Sequence, residues 1–364
     1  TYMAAGEEVE EVIPKGNFIK LKSENLHANE MAVQKVYECL VAESDVLIAL
    51  GAGTIHDITR YVAYNKDIPF ISVPTAASVD GFASSVADMT WRGYKKTFTA
   101  VSPIYVVADT DIFKEAPYRL TASGVSDLIG KYIALVDWKI SSIVIGEYIC
   151  NRICNMEIDV INKVCQCVDE LVLGNTEAYE QLMYALIISG LAMQIIGSSR
   201  PASGAEHHMS HLWEMEVINE HLNAYHGERV SVALILVMEE YEKIKKAIEN
   251  ERCRVKKYSG LEVDMLKEVF RSREMYNSII KENTPDPLLN VNKVILQNRL
   301  ENISEILEKL PTLDFVKNTL MRAKAVTSFE EIGLPKGIKE KSLRVSPYMS
   351  NRITLMRLSK MLEY

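Results

Sequence analysis

The first third of the chain alternates continuous apolar runs with segments of helical periodicity. The runs at 45–53, 69–75 and 104–113 ("DVLIALGAG", "PFISVPT" and "IYVVADTDIF") have the composition of strands that are buried on both faces. The segment "TIHDITRYVAYN", which follows the first run, places its isoleucines and valine at helical spacing. Strand, helix and strand in this order predict a parallel α/β sheet with right-handed crossovers.

The pattern changes at about Tyr118, after which apolar residues recur with the helical period almost throughout. Helix candidates include "YRLTASGVSDLIGKYIALVDWKIS", "TEAYEQLMYALIISGLAMQIIG", "HGERVSVALILVMEEYEKIKKAIE", "NRLENISEILEKL" and "RITLMRLSKMLE". We therefore expect a nucleotide-binding α/β domain at 1–117 and an all-helical domain at 118–364. The most apolar run, 182–197, is shorter than the ~20 residues that a membrane span needs and contains Gln194, so we interpret it as a buried core helix.

The amino-acid composition limits the possible functions more than it limits the possible folds. The 364 residues (41.1 kDa) are 48% hydrophobic and 25% charged, as in ordinary globular proteins that are large enough for two cores. The formal net charge of −8 argues against general binding to nucleic acids or membrane surfaces, which are polyanionic. The six cysteines follow no disulfide or zinc spacing, so we expect free thiols in a reducing cytoplasm.

Two small-residue turns follow the first two predicted strands. In "LGAGTIHD", Gly51 and Gly53 separate a strand from a helix, where backbone N–H groups can meet a diphosphate. The motif is not GxGxxG, and an ordinary strand–helix turn is the alternative; Asp57 either caps the helix or accepts a bond from a cofactor. "SVPTAASVDGFASS", at the end of the next strand, adds hydroxyls and Asp80. Together the two turns favour a nucleotide site at the carboxyl edge of the sheet.

Three histidines lie within five residues in "SGAEHHMSHLWE", although the chain has only seven. On a helix His207 and His211 share a face, while His208 points about 100° away. An HxxxH pair has metal-ligand spacing, and His226 and Asp127 are candidates for further ligands. A metalloprotease needs HExxH, in which the glutamate is the general base; this sequence has a second histidine there, so that function is disfavoured.

Six motifs together resemble the superfamily of iron-containing alcohol dehydrogenases, glycerol dehydrogenases and dehydroquinate synthases, and within it the bacterial sn-glycerol-1-phosphate dehydrogenases. In family order over nearly the whole chain they are "GAGTIHD", "PTAASVDGFASSVADM", "GVSDLIGKYIALVDW", "SRPASGAEHHMSHLWEM", "HGERV" and "SNRITLMRLSKML". The resemblance implies a dehydroquinate synthase-like fold. In that fold a Rossmann-like α/β domain precedes an all-α domain. Here the first strands of the family pattern are expected to be missing.

The resemblance also implies roles for particular residues. The metal ligands would be Asp127, His207 and His226, with His211, Asp80 and Asp127 facing the substrate in catalysis. The dinucleotide would be lined by Gly51, Gly53, Thr54, Ile55, His56, Asp57, Thr75, Ala76, Ala77, Ser78 and Ser84. Candidates for a substrate phosphate are Arg200, Lys131 and Lys96, with arginine favoured because its planar fork suits phosphate oxygens. His208 has no ligand role in the family pattern, and we expect it behind the ligands or near the phosphate.

The implied activity is the reversible, metal-dependent reduction of dihydroxyacetone phosphate to sn-glycerol 1-phosphate, a step toward phospholipids, in a cytoplasmic homodimer or larger oligomer. The cofactors would be NAD or NADP and one divalent metal, with zinc or nickel favoured and iron compatible. One alternative is a dehydrogenase of glycerol or another polyol. A dehydroquinate synthase-like lyase fits less well, because its motif resembles HTxGH and this chain has "HHMSH". A binding protein without activity would be expected to lose ligands.

Overall fold

The computed structural model describes residues 2–4, 17–22, 26–335 and 337–364. Most of the opening segment "TYMAAGEEVEEVI", on which the expectation of missing first strands rests, lies outside these residues. The chain forms two compact units: unit 1 comprises Thr1–Leu128 and Glu157–Ser199, and unit 2 comprises Ile129–Met156 and Arg200–Tyr364. Unit 1 therefore extends beyond the expected boundary at residue 117 and includes helices from the middle of the chain.

Unit 1 contains a five-stranded parallel sheet in the order β2-β1-β3-β4-β7. Its strands are β1 (Tyr2–Ala4), β2 (Phe18–Lys20), β3 (Leu47–Gly51), β4 (Phe70–Pro74) and β7 (Tyr105–Val106). The predictions of strands at 45–53 and 69–75 and of a parallel sheet are confirmed. The prediction of a strand over 104–113 is wrong beyond its first residues: only Tyr105 and Val106 pair with β4, and Thr110–Phe113 forms a four-residue helix that Asp109 caps.

A two-stranded antiparallel hairpin, β5 (Val86–Trp91) and β6 (Tyr94–Thr99), was not predicted from the sequence. Arg92 and Gly93, both with positive φ, form its turn, and Trp91 and Phe98 pack edge to face with centroids 5.6 Å apart. The alternation of buried Ala87 and Met89 with more exposed neighbours is the strand signal that could have revealed it.

The helices that lie wholly in unit 1 are α1 (Glu30–Cys39), α2 (Gly53–Lys66), α3 (Thr110–Phe113), α6 (Val168–Val172) and α7 (Thr176–Ile196). Two further helices, α4 (Tyr118–Ile145) and α5 (Asn151–Gln166), each contribute residues to both units. Helix α7 begins where the Asn175 side chain accepts from the Ala178 N–H and ends at Gly197, which has a φ of 72°. It is the one described helix long and apolar enough for a membrane span, yet half of its most apolar window is buried, as in a core helix.

The described part of unit 2 is mainly helical, and its strands there are the two-residue β8 (Arg254–Val255) and β9 (Leu362–Glu363). Its further helices are α8 (Ala205–Glu214), α9 (His226–Glu249), α10 (Val263–Val269), α11 (Arg273–Glu282), α12 (Lys293–Asn298), α13 (Leu300–Glu308), α14 (Leu313–Arg322), α15 (Ile338–Val345) and α16 (Leu355–Leu358). Helix α9 begins at His226, as the sequence predicts. The Glu228 carboxylate fixes this start by accepting from the Tyr225 N–H at 2.7 Å.

Candidate functional site

The two small-residue turns of unit 1 lie side by side at the carboxyl edge of the sheet. Gly51 is paired with Pro74 at the ends of β3 and β4, and the Thr75 N–H donates to the Gly51 carbonyl at 3.1 Å. Gly51 has a φ of 153°, a backbone conformation that residues with a side chain rarely adopt. A Cβ on Gly53 would lie 2.6 Å from Cγ2 of Val79 in the second turn. Glycine therefore allows the first residue of α2 to approach the neighbouring loop.

The loop after β4, residues 75–84, is fastened to α2 by a buried arginine. The Arg60 guanidinium donates to the carbonyl oxygens of Ser84 at 2.6 Å, Val86 at 3.0 Å and Gly81. It also lies 3.7 Å from Asp57 on the preceding turn. Burial raises the pKa of the Asp57 carboxyl, and the neighbouring guanidinium opposes that rise. Arg60 thus sets the position of the loop without belonging to a recognisable motif.

His56, one of the expected dinucleotide residues, has its ring buried under this loop. Its Nδ1 is 3.1 Å from the Ala52 carbonyl oxygen, and the ring meets Phe82 edge-on with centroids 4.9 Å apart. Burial lowers the pKa of His56 to about 3, so the ring is neutral at physiological pH. Its side chain packs inside unit 1, and only its backbone is available to a ligand.

The loop also lies against α4 and α7 at two close approaches. A Cβ on Gly124 of α4 would be 2.0 Å from the Ala77 carbonyl oxygen, and a Cβ on Gly190 of α7 would be 2.8 Å from that of Asp80. The Asp80 N–H donates to Oδ2 of Asp127 at 3.0 Å, and the Ser189 hydroxyl donates to the Asp80 carboxylate at 2.9 Å. Two of the predicted catalytic residues, Asp80 and Asp127, are therefore joined directly within unit 1.

Three histidines converge in unit 2, and we call them the histidine cluster: His207, His211 and His226. The ring centroids are 6.1 Å apart for His207 and His211, 5.2 Å for His207 and His226, and 5.9 Å for His211 and His226. A nitrogen from each of His211 and His226 and a carboxylate oxygen of Glu214 lie within 4.8 Å of one another. Imidazoles and a carboxylate at these separations fit a divalent transition metal.

Helix geometry explains why these side chains meet. His207, His211 and Glu214 are spaced i, i+4 and i+7 on α8, so they line one face, and His226 is the first residue of α9. Behind the cluster, Nδ1 of His207 lies 2.7 Å from Oε1 of Glu206, which is fully buried. Glu206 and Glu214 were not singled out from the sequence, although their spacing from the histidines is visible there.

His208 and Arg200, the other conspicuous basic residues near α8, are both buried. Within the described part of the chain, Nδ1 of His208 has no hydrogen-bond partner. Burial lowers the pKa of His208 well below its usual value, and the positive charge of Arg352 lowers it further. Arg200 Nη2 donates to the Glu147 carboxylate at 2.9 Å and to the Ile353 carbonyl at 2.6 Å. Arg200 therefore has a structural role: it connects the segment that precedes α8 to the C-terminal segment.

The two lysines predicted for a phosphate differ in their surroundings. Lys131 lies fully buried on α4. Lys96 is exposed on β6, and its ammonium group lies 5.0 Å from the centre of the Phe98 ring.

Comparison with known proteins agrees with this architecture. The profile of the family "Iron-containing alcohol dehydrogenase" matches residues 1–117. Glycerol-1-phosphate dehydrogenase [NAD(P)+] of Geobacillus thermodenitrificans is 33% identical over 337 residues, which cover 92% of this chain and 76% of that protein. The enzyme of the same name from Geobacillus stearothermophilus is 33% identical over 90% of this chain and 75% of its own length. This chain belongs to the glycerol-1-phosphate dehydrogenase family.

Solved structures of the wider superfamily share the fold. A probable glycerol dehydrogenase from Sinorhizobium meliloti superposes with a TM-score of 0.54 at 16% identity, covering 89% of this chain and 90% of its own. NADH-dependent butanol dehydrogenase A from Thermotoga maritima gives 0.58 at 13% identity, covering 98% and 84%. The expected dehydrogenase fold, with an α/β part and a large helical part, is thereby confirmed. At these identities the comparison concerns the fold alone.

Proposed function

We propose that this chain catalyses the reversible, metal-dependent reduction of dihydroxyacetone phosphate to sn-glycerol 1-phosphate with NADH or NADPH. The observation that carries the proposal is the histidine cluster, whose imidazoles converge beside the Glu214 carboxylate in a chain whose relatives are named glycerol-1-phosphate dehydrogenases. The names of those relatives supply the substrate and the cofactor pair, and the donor set supplies the metal requirement.

For the metal we propose the ligands Asp127, His207 and His226. The position that a Cβ on Gly130 would take is 3.9 Å from Cε1 of His207, so this face of α4 is adjacent to the cluster within unit 2. Asp127 lies three residues earlier on the same continuous helix, and residues i and i+3 share a face. One carboxylate and two imidazoles suit zinc, nickel and iron(II), so the ligand types alone select no single metal.

The chemistry then divides among a few groups. When bound, the metal supplies a Lewis acid for the substrate carbonyl, and the reduced nicotinamide supplies the hydride. His211, on the same face of α8 as His207, holds the proton that the product hydroxyl requires. Asp80, held by Ser189, orients the substrate hydroxyl. The glycine turn and the loop at 75–84 hold the dinucleotide through backbone N–H groups and small side chains.

For the phosphate group, Lys131 is a better candidate than Arg200. Lys131 follows Asp127 by four residues on α4, so it lies on the proposed ligand face. The Arg200 guanidinium already donates to a carboxylate and to backbone carbonyls, and replacing these bonds with bonds to a phosphate would cost their stabilisation.

A two-substrate assay tests the proposal. The zinc- or nickel-loaded chain is expected to oxidise NADH or NADPH much faster with dihydroxyacetone phosphate than with dihydroxyacetone. Only dihydroxyacetone phosphate has a phosphate dianion that the buried Lys131 can bind. The measurement is the value of kcat/KM for each substrate, determined under identical metal loading. Equal rates would instead assign the chain to the polyol dehydrogenases.

A further inference from the structure

The histidine cluster has a buried carboxylate behind it that no ligand set includes. Glu206 is fully buried, and its Oε1 accepts from the Gly204 N–H at 3.0 Å and lies 2.7 Å from Nδ1 of His207. A carboxylate oxygen accepts hydrogen bonds, and Nδ1 of His207 can donate one when it carries the ring proton. The contact therefore favours the tautomer of His207 that has its proton on Nδ1 and its lone pair on Nε2.

The start of α8 is shaped to hold this carboxylate. A Cβ on Gly204 would lie 2.8 Å from Oε2 of Glu206 and 2.9 Å from Oδ2 of Asp137, so only glycine leaves room for both acids. Asp137 in turn accepts from the Ala205 N–H at 2.9 Å, the Tyr241 hydroxyl at 2.6 Å and the Leu355 N–H at 2.8 Å. These bonds fix the backbone from which Glu206 projects, and with it the direction of its contact to His207.

We propose that Glu206 is a positioning residue that holds His207 as the Nδ1–H tautomer, with Nε2 directed to the metal. The inference rests on the proposed metal function for its consequence, whereas the contact itself exists in the protein alone. Metal-bound histidines commonly donate their second ring N–H to a carboxylate, which fixes the ring and raises its basicity. His208, the next residue, offers an internal comparison, because its Nδ1 has no partner in the described part of the chain.

The test uses Glu206→Gln, which keeps the size of the side chain and removes its charge. In the metal-free protein, long-range ¹⁵N–¹H NMR should show the wild-type His207 ring protonated on Nδ1 and the variant ring as a mixture of tautomers. Zinc affinity, measured by competition with a chelator, should fall about 10- to 100-fold. Glu206→Asp keeps the charge but shortens the reach, so an intermediate affinity is expected.

Glu240→Gln is the matched control. Glu240 is also a buried carboxylate of unit 2, but it bonds Lys243 and Tyr364 and not a histidine. It should leave the His207 tautomer and the zinc affinity unchanged. An unchanged tautomer or unchanged zinc affinity in Glu206→Gln would overturn the inference about Glu206. A wild-type chain that binds no zinc, nickel or iron would overturn the proposed function, even where the tautomer result holds.

Discussion

The loops of unit 1 and the histidine cluster of unit 2 are built in opposite ways. The loops offer glycines, small side chains and backbone N–H groups, and their shape depends on residues that would not touch a ligand, such as Arg60, Gly124 and Gly190. The cluster offers side chains whose own chemistry defines the site. Changes in the cluster should therefore alter chemistry at constant stability, whereas changes around the loops should alter stability and cofactor binding together.

The cluster side of this comparison depends most strongly on His211. His211→Ala should lower kcat by about 100- to 10,000-fold, the usual contribution of a positioned acid or base, while the bound metal is retained. Steady-state kinetics and elemental analysis of the same preparation measure both quantities. Loss of the metal would make His211 a ligand instead, and full activity would remove it from the mechanism.

The loop side is tested by two glycines with different surroundings. Gly124→Ala should lower the free energy of unfolding by about 1–3 kcal/mol, because its Cβ would meet the Ala77 carbonyl oxygen at 2.0 Å. Gly81→Ala, in the loop itself, has no atom within 4 Å of the new Cβ and should change stability by less than about 0.5 kcal/mol. Chemical denaturation together with cofactor KM provides the measurement. Equal effects of the two changes would contradict the proposed packing of this loop.

His56 sharpens the comparison, because this histidine serves packing and not chemistry. Its folded-state pKa of about 3 lies below the ordinary 6.5, so acid gives the unfolded chain a proton that the folded chain excludes. Its contribution to stability is complete above pH 6.5 and is lost as the pH falls toward 3. Between pH 6 and pH 5 the wild type should lose about 1 kcal/mol relative to His56→Asn, measured by urea unfolding. A constant difference between the two proteins would show that His56 does not titrate in this way.

Sequence periodicity and motif order predict many of the strands and helices of this protein, and the exceptions have physical causes. Buried strands such as β3 and β4 show as continuous apolar runs, and α9 begins at His226 as the sequence indicates. The apolar run at 104–113 misleads because Asp109 caps a helix inside it. The roles of Arg60 and Gly124 depend on contacts 21 to 47 positions away, which local spacing does not encode. Glu206 lies next to His207, yet the contact between them depends on their rotamers.

The metal content of two histidine variants tests the assignment of the metal site most directly. The wild-type chain should bind one divalent metal, His226→Ala should lose it, and His208→Ala should retain it, because only His226 belongs to the histidine cluster. Elemental analysis after dialysis against zinc and then against metal-free buffer gives the metal-to-protein ratio for each. Metal retained in His226→Ala and lost in His208→Ala would contradict the assignment of the cluster as the metal site.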